Sequence, residues 1–167
     1  MIRNIANSLP TYLRFVLIVI FLPAAHAEDT RKYIIDPSKT SILGISVSSK
    51  ESEIVSLLGK PKLINERYSD ALDTNFRGLH YDGIEISFGD GEMWGLSCKA
   101  KKCKTNLGLK IGDSKAVVVE KYGKGNPPYE GATRDSLRYP FEGCDCYLFF
   151  YFEKNRVVEI SYFFDYT

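Results

Sequence analysis

Ile45-Ser-Val-Ser-Ser-Lys-Glu-Ser-Glu-Ile-Val-Ser-Leu-Leu-Gly-Lys60 aligns without gaps on Leu109-Lys-Ile-Gly-Asp-Ser-Lys-Ala-Val-Val-Val-Glu-Lys-Tyr-Gly-Lys124, at an offset of 64 residues. Phe88 through Ser97 falls on Phe152 through Ser161 at that same offset, and Leu79-His80-Tyr81 falls on Leu137-Arg138-Tyr139 at an offset of 58. Self-similarity at a fixed period is the mark of duplicated structural units. The chain therefore reads as two copies, residues 28–98 and 109–167, joined by a lysine-rich linker over 99–108.

Within each copy the first block has the signals of a short helix. Ser48 can open a capping box with Glu51, Asp113 can cap the second helix, and Gly59 and Gly123 stand where a helix ends in a left-handed residue. Ile54 and Leu58 share one helix face, as do Val118 and Tyr122, each pair being four residues apart. The valines at 117, 118 and 119 are weak helix formers, and here the alignment with the first copy outweighs their propensity.

The second block of each copy reads as strands. Tyr81 and Ile84 flank Asp82-Gly83, a strong two-residue hairpin signal. Gly89-Asp90-Gly91 is read as a three-residue loop whose last position is left-handed, a conformation that both Gly91 and its counterpart Asn155 tolerate. Side chains alternate along a strand, so this loop length gathers Ile84, Ile86, Phe88, Trp94 and Leu96 on one face. In the second copy it gathers Leu148, Phe150, Phe152, Val158 and Ile160. Tyr147, Phe149, Tyr151, Phe163 and Val157 are left on the opposite face with Glu159 and Ser161. The expected fold class is α+β: two tandem repeats, each a short helical element followed by an antiparallel hairpin or meander, with the helices on one face of the sheet. A unit of this size barely buries a core alone, so the two halves are expected to pack or to pair strands.

A small or polar helix start, a short helix ending in Leu58-Gly-Lys-Pro61 or Tyr122-Gly-Lys-Gly125, and then an aromatic-rich hairpin resemble the repeat of the beta-lactamase inhibitor protein. The pattern is also similar to the single repeat of the SmpA and OmlA type of outer-membrane assembly lipoproteins. It covers residues 42–166. The resemblance implies a scaffold that works by occupying a partner's surface, as an inhibitor or immunity protein against a hydrolase or toxin. The alternative it implies is an envelope accessory protein that assists outer-membrane assembly or binds a cell-wall component.

Toward the N-terminus, Arg3 and Arg14 precede the apolar run Phe15–Leu22, then Pro23 and the small-residue pattern Ala25-His26-Ala27. This is the form of a signal peptide over 1–27, cleaved between Ala27 and Glu28 to give a periplasmic or secreted protein. The run is well short of the roughly 20 residues a membrane span needs, so none is expected in the mature chain. The whole chain of 167 residues has a net charge of +1, too little basic excess to draw it to a phosphate backbone, so nucleic acid is not expected as a partner.

Cys98, Cys103, Cys144 and Cys146 are an even set in an exported chain, which reads as two disulfides. Three pairings are open. The local pairs Cys98 with Cys103 and Cys144 with Cys146 are favoured by proximity, with a four-thiolate zinc site or a redox C-x-C as other readings. His80 is the one histidine beyond the leader, and no nucleophile motif accompanies it. Asp82, Asp90 and Asp113 sit at turn or cap positions. No enzyme activity and no cofactor are expected. What exceeds the scaffold is the cluster Lys99, Lys101, Lys102 and Lys104, the cysteine-bearing insertion Pro140–Tyr147, and the aromatic set Tyr147, Phe149, Tyr151 and Phe163. These lysines and aromatics are the candidate contacts to a protein partner, the aromatic face being covered either by that partner or by the first copy.

Overall fold

The computed structural model describes residues 33–70 and 72–164. A 3₁₀ turn, Pro37–Lys39, leads to helix α1 (Glu51–Leu58) and four strands, β1 (Leu63–Ser69), β2 (Thr74–Tyr81), β3 (Ile84–Gly89) and β4 (Glu92–Cys98). Helix α2 (Lys115–Tyr122) is followed by β5 (Ser136–Pro140), β6 (Cys146–Glu153) and β7 (Arg156–Phe164). All seven strands belong to one sheet in the order β1-β2-β3-β4-β7-β6-β5, and every neighbouring pair is antiparallel.

This corrects the expected fold class. The described residues are not a pair of α+β repeats with a helical layer on the sheet; they form a single antiparallel sheet with two eight-residue helices beside it. The seam is the pairing of β4 with β7, from Gly95 opposite Phe163 to Cys98 opposite Ile160, which carries the hydrogen-bond ladder across the middle of the chain. Two turns of helix present little apolar surface: α1 buries Ile54 alone, and α2 buries Val118 and Tyr122. Much of the cover over the core comes instead from irregular chain, through Ile42, Ile45, Cys103, Leu109 and Phe141.

The helix ends also differ from expectation in detail. Lys50, not Ser48, is the N-cap of α1, and its backbone N–H donates to the Glu53 carboxylate at 3.0 Å. Ser114 caps α2, accepting from the Val117 N–H, while the Asp113 carboxylate takes the Lys110 N–H one turn earlier. Both helices do stop at glycines with positive φ, Gly59 at 82° and Gly123 at 84°.

The three-residue loop is corrected as well. Gly89 pairs with Glu92 and Glu153 with Arg156, so each turn holds two residues, Asp90-Gly91 and Lys154-Asn155. All four have φ between 45° and 83°, the mirror-image turn geometry that matches strand twist. Parity is restored by a bulge just beyond each turn, at Ser87/Phe88 and at Tyr151/Phe152. The extra residue is Trp94 in β4 and Val158 in β7. Met93 and Val157 take the core positions expected for Trp94 and Val158, being 3% and 1% exposed.

The core face is then continuous across the sheet. Leu79, Ile86, Leu96, Tyr162, Leu148 and Tyr139 form one cross-strand row, and Ile84, Cys98, Ile160, Phe150 and Leu137 form the next. Pro140–Tyr147, read as an insertion, closes the β5–β6 hairpin: Phe141 N–H donates to Cys146 C=O, and the Phe141 ring packs on Tyr162 at 5.6 Å.

Candidate functional site

Directly opposite residues of antiparallel strands share a face, so the register also defines what lies away from the core. One row there runs Leu63, His80, Glu85, Ser97, Ser161, Phe149 and Arg138, and its neighbour runs Asn65, Gly78, Ser87, Gly95, Phe163 and Tyr147. The middle of this second face is floored by small residues, Gly78, Ser87, Gly95, Ser97 and Ser161. Over β1–β3 it is flanked by Phe76 edge-on to Trp94, with ring centroids 4.8 Å apart. Over β5–β7 it is flanked by a larger aromatic cluster.

That cluster is built by alternation. Tyr147, Phe149 and Tyr151 are successive outward positions of β6, and Phe163 joins them from β7 beside Tyr147. Phe149 stacks on Tyr151 at 5.5 Å with 8° between the planes, and meets Phe163 edge-on at 6.2 Å. A fifth ring, Tyr129, descends from the segment 127–135, which crosses this face. Among the described residues the first half of the chain does not cover the cluster; the second half's own loop does, and incompletely. Phe149 is 4% exposed and Phe163 is 48% exposed. Between loop and sheet lies a cleft of about 290 Å³ lined by Tyr129, Arg134, Ser136, Phe149, Tyr151 and Phe163, among others.

Two arginines hold the roof in place. Arg138, on β5, donates from Nε to the Pro127 carbonyl at 3.0 Å and lies 3.8 Å from the centre of the Tyr129 ring. Arg134 lies 3.9 Å from the centre of the Tyr151 ring and donates from Nη1 to Glu159 Oε2 at 2.8 Å. The Glu159 carboxylate also accepts from Ser97 Oγ at 2.9 Å and has Lys99 Nζ at 3.8 Å. With its side chain only 7% exposed, Glu159 would be costly to bury unpaired, and these partners are what permit it.

Two phenols of the cluster, Tyr147 and Tyr151, are held protonated. A hydrogen bond with Tyr129, then burial and the nearby Asp145, push the Tyr147 hydroxyl up to about 12; burial first and then Glu159 push Tyr151 upward too. A raised folded-state value stabilises the fold fully below about pH 10, the unfolded tyrosine value, and that contribution disappears as pH rises through the folded value. In an alkaline titration followed by tyrosinate absorbance and circular dichroism, late-ionising tyrosines should titrate together with loss of structure between pH 10 and about 12. Ionisation of every tyrosine near pH 10 with the fold intact would show the packing around Tyr147 to be wrong.

The other candidates are dispersed. Lys99 reaches Glu159, whereas Lys101, Lys102 and Lys104 are exposed and point to no common partner group. Their segment is not free chain: Cys103 is buried, and Leu43 N–H donates to the Lys104 carbonyl at 2.9 Å. The disulfides are Cys98–Cys103 and Cys144–Cys146, with Cα atoms 5.9 and 5.2 Å apart, and no cysteine is free among the described residues. His80 lies over Gly78 on the second face, its Nε2 buried without a hydrogen-bond partner. Among the described residues no group of His, Cys, Asp and Glu is placed to hold a metal ion. Nor, among them, is any helix long and apolar enough to cross a membrane. Two disulfides fit an exported protein. The leader, with Ala27 and Glu28, lies outside the described residues.

Glu159, Arg134 and Tyr129 are not among the candidate contacts that sequence alone suggests. A signal exists for Glu159, an acidic residue whose strand position alternates onto the aromatic face. None exists for the loop, because its path over the sheet is set by Arg138, which belongs to another element.

No protein-family model and no curated protein matches the chain. Similar solved structures include an extracellular protein containing an SCP domain from Bacillus anthracis, 14% identical, with a TM-score of 0.49. That match covers 71% of this chain and 44% of the Bacillus anthracis protein, so this chain spans less than half its length. A DUF4309 family protein from Bacillus subtilis is 9% identical over 70% of this chain and 79% of its own, with a TM-score of 0.38. Neither is described as an inhibitor or an assembly lipoprotein.

Proposed function

We propose that this chain is a periplasmic or secreted binding protein that acts by occupying a protein partner's surface, as an inhibitor or immunity protein does. The observation that carries this reading is the cleft under segment 127–135, where four aromatic rings and a guanidinium converge on the sheet face away from the core. Aromatic rings supply large contact area with few torsions to freeze, and such residues anchor interfaces when a partner excludes water around them. Phe163 is the natural anchor, being half exposed at the mouth of the cleft. Arg134, 46% exposed, stands beside it to meet a carbonyl or carboxylate.

The test is capture from a periplasmic extract by the immobilised, oxidised protein, compared with Phe163→Ala. Phe163→Ala should keep the wild-type circular dichroism and lower affinity for the captured protein by roughly 2 kcal/mol, about thirtyfold. Capture of the same protein with unchanged affinity would reject the cleft as the binding site, and failure of the wild type to retain any protein would reject the function.

A further inference from the structure

The two edges of the sheet are finished differently. At β5 the outer backbone groups are taken: Asn126 and Arg138 exchange N–H to C=O bonds of 2.9 and 3.0 Å, Ile35 N–H donates to Pro140 C=O, and Glu142 N–H donates back to Ile35. At β1, among the described residues, no strand lies outside. Of the usual protections of an edge it has two charged residues, Glu66 and Arg67, but its seven residues include no proline and no bulge against β2. Three of its large apolar side chains are open to solvent, Leu63 at 59%, Ile64 at 41% and Tyr68 at 54%.

The direction of the free groups follows from two bonds. His80 C=O accepts from Lys62, so it points at β1; Asn75 C=O accepts from Asp90, so it points at β3. Directions alternate along a strand. The even residues of β2 therefore face β1, and their partners Leu63, Asn65, Arg67 and Ser69 face back. Ile64, Glu66 and Tyr68 are left with N–H and C=O directed outward.

We propose that β1 pairs antiparallel with β1 of a second copy of this chain, in the register centred on Glu66. That register sets Ile64 opposite Tyr68 of the other copy, twice, and Glu66 opposite Glu66, so every outward backbone group meets an outward group and all form bonds. Shifting by one residue sets outward groups against inward ones and loses the ladder. Ile64 and Tyr68 both lie on the core-face side, so the pairing buries two aliphatic–aromatic contacts, the cross-strand combination that stabilises sheets. Glu66 is the one unfavourable contact, eased by the Arg77 guanidinium that already binds it in each copy. Like residues lie side by side on like faces, which turns both aromatic clefts to the same side of a continuous sheet.

Sedimentation equilibrium of the oxidised protein over a concentration series should show reversible doubling of mass. Ile64→Glu and Tyr68→Lys alone should each weaken association about tenfold by replacing both apolar contacts. Combining the two substitutions sets an introduced carboxylate opposite an introduced ammonium twice and should recover it. Glu66→Gln should tighten it. All three positions are exposed, so circular dichroism should not change. A wild type that stays monomeric at every concentration, or a double variant no better than either single one, would overturn the proposal.

Discussion

Phe150→Ala should cost the fold about 3–5 kcal/mol, a large part of what holds a domain of this size together. Phe150 is fully buried at the centre of β6, with Tyr122 of α2 at 5.0 Å and Tyr139 of β5 at 5.9 Å between ring centroids. Its ring is one of the contacts that fasten the short second helix to the sheet, beside Tyr139. Truncation leaves a cavity beside Tyr139, whose hydroxyl donates to the Gly123 carbonyl at 2.8 Å and so keeps its ring from swinging in to fill the space. Phe163→Ala, on the same hairpin but on the other face and half exposed, should cost only about 1 kcal/mol, the value of its edge-on contact with Phe149. Urea unfolding of the two variants measures the contrast. Equal losses would mean that the two faces of the β6–β7 hairpin are not the separate core and cleft described above.

That contrast is legible in the sequence as alternation: Leu148, Phe150 and Phe152 against Tyr147, Phe149 and Tyr151. The turns at Asp82-Gly83 and around Asp90-Gly91 are legible too, because their residues tolerate positive φ. The bulges are not. A two-residue turn plus a bulge and a three-residue loop give the same parity to Leu96 and Ile160, and differ only at Trp94 and Val158, where either assignment buries a large apolar side chain. Gly89 settles it physically: a Cβ there would lie 2.4 Å from the Trp94 indole, so the ring lies across the glycine on the second face. The helical layer is over-read from sequence for a different reason. Capping signals locate a helix but say nothing of how much core it covers, and Ile42, Ile45 and Leu109 provide that cover from coil with no periodic pattern. The buried Glu159 needs Arg134 and Ser97 to make sense, residues 25 and 62 positions away.

Gly125→Ala should destabilise the protein by about 2–5 kcal/mol, from two independent causes acting at one atom. Gly125 has φ 67°, a left-handed conformation that costs a residue with a Cβ about 1–2 kcal/mol. The added Cβ would also stand 2.7 Å from Cζ and 2.8 Å from the hydroxyl of Tyr139, a side chain with no solvent exposure and hence nowhere to retreat. Forcing such a ring aside costs about 1–3 kcal/mol more and pulls its hydroxyl off the Gly123 carbonyl at the end of α2. The first helix is followed by Lys60-Pro61 where the second is followed by Lys124-Gly125, and Tyr139 is the reason proline or alanine does not suit the second site. The consequence extends to the cleft. Asn126, the next residue, exchanges backbone bonds with Arg138, and Arg138 holds Pro127 and Tyr129 over the sheet. Moving Tyr139 therefore disturbs the strand that carries the roof's support, and the variant should show both a lowered unfolding midpoint and a Tyr147 that ionises closer to the ordinary tyrosine value. Gly131→Ala, also at positive φ but with open space around its Cβ, is the control that carries the conformational cost alone. If both variants lose the same stability, the contact with Tyr139 contributes nothing and the coupling from α2 to the cleft fails with it.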